Sequence, residues 1–456
     1  MKISIENFKS IKKLHNFEIK PMTILSGVNS SGKSSFVQLL LLLKQTVERN
    51  SADEPFYLDG DLYPVREFKD IVSNHNLANS INISFLFDKN EVLSLRDSDI
   101  NIFKLYDFLI HITVKISSID DSILVKEFEA KIETLEEVKN PYINFKYNDG
   151  SYLVDTNDTL FSKEIWNKVN MASVKFLSFY PLILQESENY PSEEIVIKLD
   201  WVKNLVNSFF GKMSYIGPYR VAPQEEYLPK RNLKSVNHTG DNVAQILENF
   251  AKESIQYYQI TSLDGVIKYQ SKNAFLTDAV KYWMCDIFKI AEDLQAEKIG
   301  ENYRIGLISE TQLLTSIKHV GFGISQLLPI VVEGLRMPSG GTLIVEQPEI
   351  HLHPKLQSLL FDFLYGLTLQ GKNIIVETHS SHFITRMRRR IAEDENDEMD
   401  GKINLTFIED NIFRSIGLND YGTMNYYPEN FIEPSNSELR AIVKAQTRKR
   451  KKNEKP

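Results

Sequence analysis

A chain of 456 residues, 42% hydrophobic and 25% charged, has apolar material for two or three folding units, which excludes disordered, collagen-like and low-complexity classes. Its 61 acidic residues outnumber its 53 basic ones, for a net charge of −8, so a general nucleic-acid coat is excluded while a local basic patch is not. The single cysteine, Cys285, rules out an intrachain disulfide framework and a four-cysteine zinc site, and fits a reducing compartment.

The opening MKISIENFKSIKKL alternates apolar and charged residues, unlike a secretory signal. The apolar run Leu39–Leu43 falls far short of the roughly 20 residues that span a bilayer. A cytoplasmic protein is expected. Residues 2–8 read as a strand, and Met22 to Ser26 as a second that runs into Gly27. Lys33 to Val47, Leu-rich and without Gly or Pro, reads as a buried helix. INISFLF at 81–87, FLIHITVKI at 108–116, YINFKY at 142–147 and SYLVD at 151–155 read as strands, with Asn148-Asp149-Gly150 as a hairpin turn.

The pattern between 91 and 213 is mixed and acidic, and reads as a lobe inserted into a larger fold. The expected organisation is therefore 1–90 and 214–435 as two parts of one head, 91–213 as the inserted lobe, and 436–456 as a basic, disordered tail. Residues 240–300 read as mainly helical, without a heptad run long enough for a coiled-coil arm. GTLIVE at 341–346 and KNIIVE at 372–377 flank a helical stretch at 355–366. That is a strand–helix–strand pattern of buried parallel strands, and the fold class is α/β.

Gly27-Val28-Asn29-Ser30-Ser31-Gly32-Lys33-Ser34 matches G-x-x-x-x-G-K-[ST] between an apolar strand and an apolar helix, the context this motif requires. Gly27 and Gly32 allow backbone geometry that lets successive N–H groups wrap phosphates. The helix from Lys33 points its positive end at the same anion. Lys33 is placed to reach the β- and γ-phosphates, and the Ser34 hydroxyl to ligate Mg²⁺. Asn29, Ser30, Ser31 and Ser35 complete the candidate loop. The strand Leu343 to Glu346 ends in a carboxylate, as the metal side of such a site needs.

Several further segments then line up. IENFKSIK, GVNSSGKSS, GFGISQLLP (321–329), LIVEQPEIHLHP (343–354) and ETHS (377–380), with YIGPYR (215–220) and TGDNVAQIL (239–247), resemble the ABC-type ATPases of the RecF, SMC and OLD group, in the AAA-like branch with a short insert. The likeness covers about 1–72 and 215–435. It implies a P-loop head with a parallel core sheet flanked by helices, binding ATP with Mg²⁺. It also implies a head-to-tail dimer, or a higher oligomer built from it, in which Gly323, Ser325 and Gln326 of one subunit cap the nucleotide held by Lys33 and Ser34 of the other. Glu346 takes the Walker B acid position and His379 the γ-phosphate contact. One departure stands out. Where the family pattern has a second acid before the proline, this chain has Gln347. An amide accepts no proton at neutral pH, so slow hydrolysis is expected unless Glu349 or a partner supplies the base.

Stand-alone ATPases of this kind resemble regulators of separately encoded effectors, such as the ATPase subunit of Septu-type antiphage systems paired with an HNH nuclease. The alternatives are a RecF-like ATPase acting on DNA itself and a nucleotide-gated scaffold. The basic tail and the cluster Arg386–Arg390 are the candidate DNA contacts, against the reading of the cluster as a solvated helix face pairing with Glu393, Asp394 and Glu395. His351 and His353 are two apart, which suits the interface loop of that family better than a metal pair.

Overall fold

The computed structural model describes residues 1–29, 31–49, 54–93, 107–134, 140–157, 174–183, 194–231, 234–263, 266–308, 314–319, 323–394, 396 and 398–428. The expected basic tail lies outside them.

Two large sheets organise the molecule. The first is antiparallel and seven-stranded, in the order β2-β1-β4-β5-β6-β7-β8. Its strands are β1 (Lys2–Phe8), β2 (Ile11–Glu18), β4 (Ile81–Asp88), β5 (Phe108–Ile119), β6 (Ser122–Thr134), β7 (Tyr142–Asn148) and β8 (Ser151–Thr156). The strands of the expected lobe thus continue the sheet begun by the N-terminus, β5 pairing directly with β4. The expected turn joins β7 to β8, with Asp149 and Gly150 both at positive φ (43° and 89°), as a tight hairpin requires.

The second sheet carries the site. Its order is β11-β17-β18-β3-β19-β20, formed by β11 (Met213–Ile216), β17 (Thr342–Glu346), β18 (Asn373–Glu377), β3 (Met22–Gly27), β19 (Ile403–Glu409) and β20 (Ile412–Ile416). All pairings are parallel except β19 with β20. This is the expected α/β head with a parallel core sheet, assembled from both ends of the chain.

Period-two alternation splits this sheet between two cores. Leu25, Ile344, Ile375 and Ile408 face one apolar cluster, shared with the phosphate-loop helix Lys33–Arg49 and the antiparallel sheet. Met22, Ile24, Leu343, Val345, Ile374 and Val376 face the other, built with the helices Gly323–Arg336, Pro354–Thr368 and Ser381–Ala392. The phosphate-loop helix is sandwiched between layers, and Leu39 to Leu43 are all buried, which is why its sequence is apolar around its circumference.

The helical reading of 240–300 is corrected. Among the described residues only Val243–Asn249 and Leu276–Lys281 are α-helical there, followed by a π-helical turn at Tyr282–Ile287. Between them β12 (Ser254–Leu263) and β13 (Val266–Phe275) form a ten-residue-arm hairpin. Further on, β14 (Asp293–Ile299), β15 (Asn302–Ile308) and β16 (Leu314–Ser316) make a small antiparallel sheet. A last pair, β9 (Val174–Leu177) and β10 (Tyr180–Ile183), is antiparallel. Cys285 is buried, and burial pushes its thiol up to about 11, so it packs as a small apolar group. Among the described residues no helix is long and apolar enough to cross a membrane.

Candidate functional site

All six residues of β3 are buried, and the strand delivers the chain to Gly27. Gly27 has φ +146° and lies so close to β19 that a Cβ would overlap the Ile408 carbonyl; only glycine fits there. At the other end of the loop Gly32, at φ +102°, turns the backbone into the helix. Its carbonyl accepts from the Ser35 and Phe36 amides at 3.1 and 3.3 Å.

Lys33 is buried. Its Nζ donates to the Gly27 and Val28 carbonyls at 3.1 and 2.6 Å, so the ammonium is folded into the loop. Burial lowers its pKa and the Glu377 carboxylate opposes that shift. The Ser31 Oγ is buried with no hydrogen-bond partner, an orphaned polar atom inside the loop that a ligand would satisfy. Asn29 is exposed, and Ser30 lies outside the described residues. Ser35 bonds to the Ser10 hydroxyl at 2.8 Å, which ties the helix to the β1–β2 turn.

Glu346 and Glu377 end neighbouring parallel strands and pair in register. The two carboxylates have different surroundings. Both oxygens of Glu377 lie 3.5 Å from the Ser34 Oγ. Glu346 accepts a 2.7 Å hydrogen bond from the Tyr215 phenol on the other flank, at β11. Burial pushes the Glu377 carboxyl up to about 7, with the Glu346 charge adding to the shift and Lys33 opposing it. Burial also raises Glu346, against the Tyr215 hydrogen bond and the Arg220 charge.

Gln347 sits at φ +43°, an unfavourable backbone region for a side chain of this size and one that recurs at functional positions. The Glu377 carbonyl holds it by accepting from its N–H at 2.7 Å. Arg220, also buried, donates to the Glu346 and Gln347 carbonyls at 2.7 and 3.1 Å and reaches Gln326 at 3.5 Å. It braces the turn after β17 against the helix Gly323–Arg336. Burial brings its guanidinium down to about 10.

Glu349 accepts from the Thr378 hydroxyl at 2.8 Å and the His379 amide at 2.6 Å, which fixes the turn after β18. The exposed His379 lies near Lys33 and Gly27; burial of part of the ring and the Lys33 charge lower its pKa, and a bond to the Gly27 backbone raises it. Ser325 and Gln326 are buried in the first turn of their helix, where the Gln326 amide donates to the Ser325 hydroxyl at 3.2 Å. Gly321 and Phe322 lie outside the described residues.

The phosphate loop, Glu346, Gln347, Glu349 and His379 thus gather at one end of the parallel sheet. With this geometry in view, the comparisons with known proteins decide the family. The model of the AAA ATPase domain family matches residues 1–384. The chain belongs to the AAA ATPase domain family. It is an ATP-binding ATPase with a P-loop core. No curated protein matches the chain in sequence. Solved structures of related shape include an SMC head bound to the C-terminal winged-helix domain of ScpA, 11% identical, with 92% of this chain and 97% of that one covered and a TM-score of 0.42. They also include the SMC head domain from Thermotoga maritima, 10% identical, with 92% and 98% covered and a TM-score of 0.36. Likenesses this loose bear on neither activity nor partners.

The donor set of this AAA ATPase domain fits a small hard cation. Ser34, Glu346 and Glu377 are all oxygen donors, and Mg²⁺ takes one or two carboxylates plus phosphates. Among the described residues there is no group of three or more His, Cys, Asp or Glu side chains that could hold a metal ion.

The arginine cluster is assigned differently from either sequence reading. Arg386 and Arg390 turn inward and clamp the buried Asp362, with contacts of 2.6 and 2.7 Å. Arg388 donates to the Gly422 carbonyl at 2.8 Å. Arg389 pairs with Glu393 at 2.6 Å, as a solvated helix face would, and Arg390 reaches the same carboxylate with its other face. The buried Asp362 on the helix Pro354–Thr368 needs a counter-charge, and the helix Ser381–Ala392 supplies it, a pairing that left no sign in the sequence. His353 caps the following helix through the Lys355 amide at 3.3 Å. Sequence reading assigned no role to Glu377 or Tyr215. The acid in ETHS and the phenol of YIGPYR were the available signals.

Proposed function

We propose that this AAA ATPase domain is a slow nucleotide switch. It holds Mg-ATP between Lys33, Ser34 and the acids at the ends of β17 and β18, and it works as a dimer or a larger oligomer. The observation that carries the reading is the loop itself. A buried ammonium folded onto Gly27 and Val28, an orphaned Ser31 hydroxyl and the Glu377 carboxylate beside Ser34, with Glu346 next to it in register, form a site that a magnesium nucleotide completes. When bound, the metal screens phosphate charge against those carboxylates. The chain's own groups hold and orient: backbone amides and Lys33 grip phosphate, and Glu349 positions His379 through its amide.

Slow turnover follows from Gln347. Both oxygens of Glu349 already accept, from the Thr378 hydroxyl and the His379 amide, which commits this carboxylate to holding the turn after β18. Closure of two copies, with Gly323, Ser325 and Gln326 capping the partner's nucleotide, is supported by the motif resemblance and by the exposed position of Asn29 and His379. Control of a separate effector nuclease is the finer role, supported by resemblance alone. The acidic net charge of −8 and the inward-turned Arg386 and Arg390 favour a protein partner over DNA.

Sedimentation velocity tests closure. With saturating Mg-ATP the wild-type mass doubles or rises further, and Lys33→Ala stays at the nucleotide-free mass. An unchanged wild-type mass at full nucleotide occupancy contradicts the proposal.

A further inference from the structure

Of the two acids that end β17 and β18, the one expected from sequence to face the metal is Glu346. The side-chain geometry ranks them the other way. Glu346 is drawn toward β11 by the Tyr215 phenol at 2.7 Å. Glu377 is buried and presents both oxygens to the Ser34 hydroxyl at 3.5 Å. That spacing is long for a hydroxyl–carboxylate hydrogen bond. It is near the separation of two oxygens that share one octahedral Mg²⁺, about 3 Å for ligands each about 2.1 Å from the ion. β18 also lies between β17 and the phosphate-loop strand β3, with Glu377 in register with Leu25, two residues before Gly27. Topology therefore puts the β18 acid one strand nearer to the loop than the β17 acid.

We infer that Glu377 is the carboxylate that meets the nucleotide-bound metal beside Ser34, with Glu346, steered by Tyr215, as the outer member of the pair. This rests on the nucleotide reading of the same site and adds a residue to it. The physical consequence concerns binding. Without a cation, two carboxylates crowd the place where phosphate oxygens must come, and like charges repel at this range. The pair therefore makes nucleotide binding depend on the divalent ion, and most of that dependence belongs to Glu377.

Mn²⁺ is the probe. Its free concentration is read by electron paramagnetic resonance during titration into the full chain with saturating ATP, and ATP affinity is measured separately in EDTA by calorimetry. Glu377→Gln is expected to weaken Mn²⁺ retention by about 10–100-fold, and to raise metal-free ATP affinity. Glu346→Gln is expected to lose less. Glu377→Asp, which keeps the charge but draws it back by one methylene, falls between wild type and Glu377→Gln and carries the test if the amide variant does not fold. Mn²⁺ retention by Glu377→Gln equal to wild type, or a larger loss in Glu346→Gln, overturns the inference while leaving nucleotide binding intact. A wild-type chain that holds neither ATP nor Mn²⁺ overturns the nucleotide reading as well.

Discussion

Two groups of buried charge lie in the parallel-sheet half of the molecule, and they are built on opposite plans. In the first, Asp362 on the helix Pro354–Thr368 is completely buried and is met by two guanidiniums from the next helix, Arg386 and Arg390. Tyr269 stands a further 3.4 Å from the same carboxylate. Each charge has its counter-charge, and the two helices are locked together. In the second, Glu346, Glu349 and Glu377 crowd the end of the sheet, with Lys33 and Arg220 as the nearby cations, and Lys33 is folded onto loop carbonyls. Burial raises all three carboxyl pKa values. Burying an ion without compensation is costly. A fold that compensates fully at one place and leaves acids crowded at another marks the second as the place that a ligand completes.

The sharpest test of this contrast lies at Gln347. If its amide is what slows the crowded site, Gln347→Glu raises steady-state ATP turnover by about 10²–10⁴-fold, measured as phosphate release at saturating Mg-ATP. A rate equal to wild type removes the missing base from the explanation. Next in size is the compensated cluster. Asp362→Asn removes the carboxylate shared by Arg386 and the buried Arg390, leaving Arg390 with Glu393 alone, and should cost about 3–5 kcal/mol of stability, read from urea denaturation. ATP affinity of the folded fraction should not move. If ATP affinity falls with stability intact, the two clusters are not separate.

A third buried charge gives a smaller effect that depends on pH. Lys372 donates to the Gly334 and Leu335 carbonyls at 2.7 and 3.0 Å, and burial brings its amine down to about 7. The unfolded chain, with an ordinary lysine pKa of 10.5, binds the extra proton between pH 7 and 10.5, so folding stability from this group rises with pH across that window. Below pH 7 both states are protonated and the slope vanishes. Lys372→Met should flatten the rise in urea midpoint between pH 7 and 9.5 relative to wild type. Parallel curves would mean that the amine keeps its proton in the fold.

The phosphate loop and the strands around it were legible because their signals are local. G-x-x-x-x-G-K-S sits in one stretch of chain, and LIVE and IIVE are short β-branched runs that recur as β17 and β18. The role of Glu377 was not legible, because its contact is with Ser34, 343 positions away, and only the parallel pairing of β18 with β3 brings them together. β2 escaped for a different reason. Its buried residues Ile11, Leu14 and Phe17 recur every third position, since a register irregularity interrupts its pairing with β1, and alternation is lost. The hairpin of β12 and β13 was misread as helix because Gln, Lys and Ala dilute its apolar alternation. The Tyr257-Tyr258 pair and Ile255 were the strand signal.

Calorimetric titration of Mg-ATP into wild-type protein, repeated in EDTA and with Lys33→Ala, tests the central claim most directly. The expected result is saturable binding of one nucleotide per chain that weakens sharply without the divalent ion and disappears in Lys33→Ala. Absence of binding heat with ATP or GTP in the presence of Mg²⁺, or equal binding by Lys33→Ala, would contradict it.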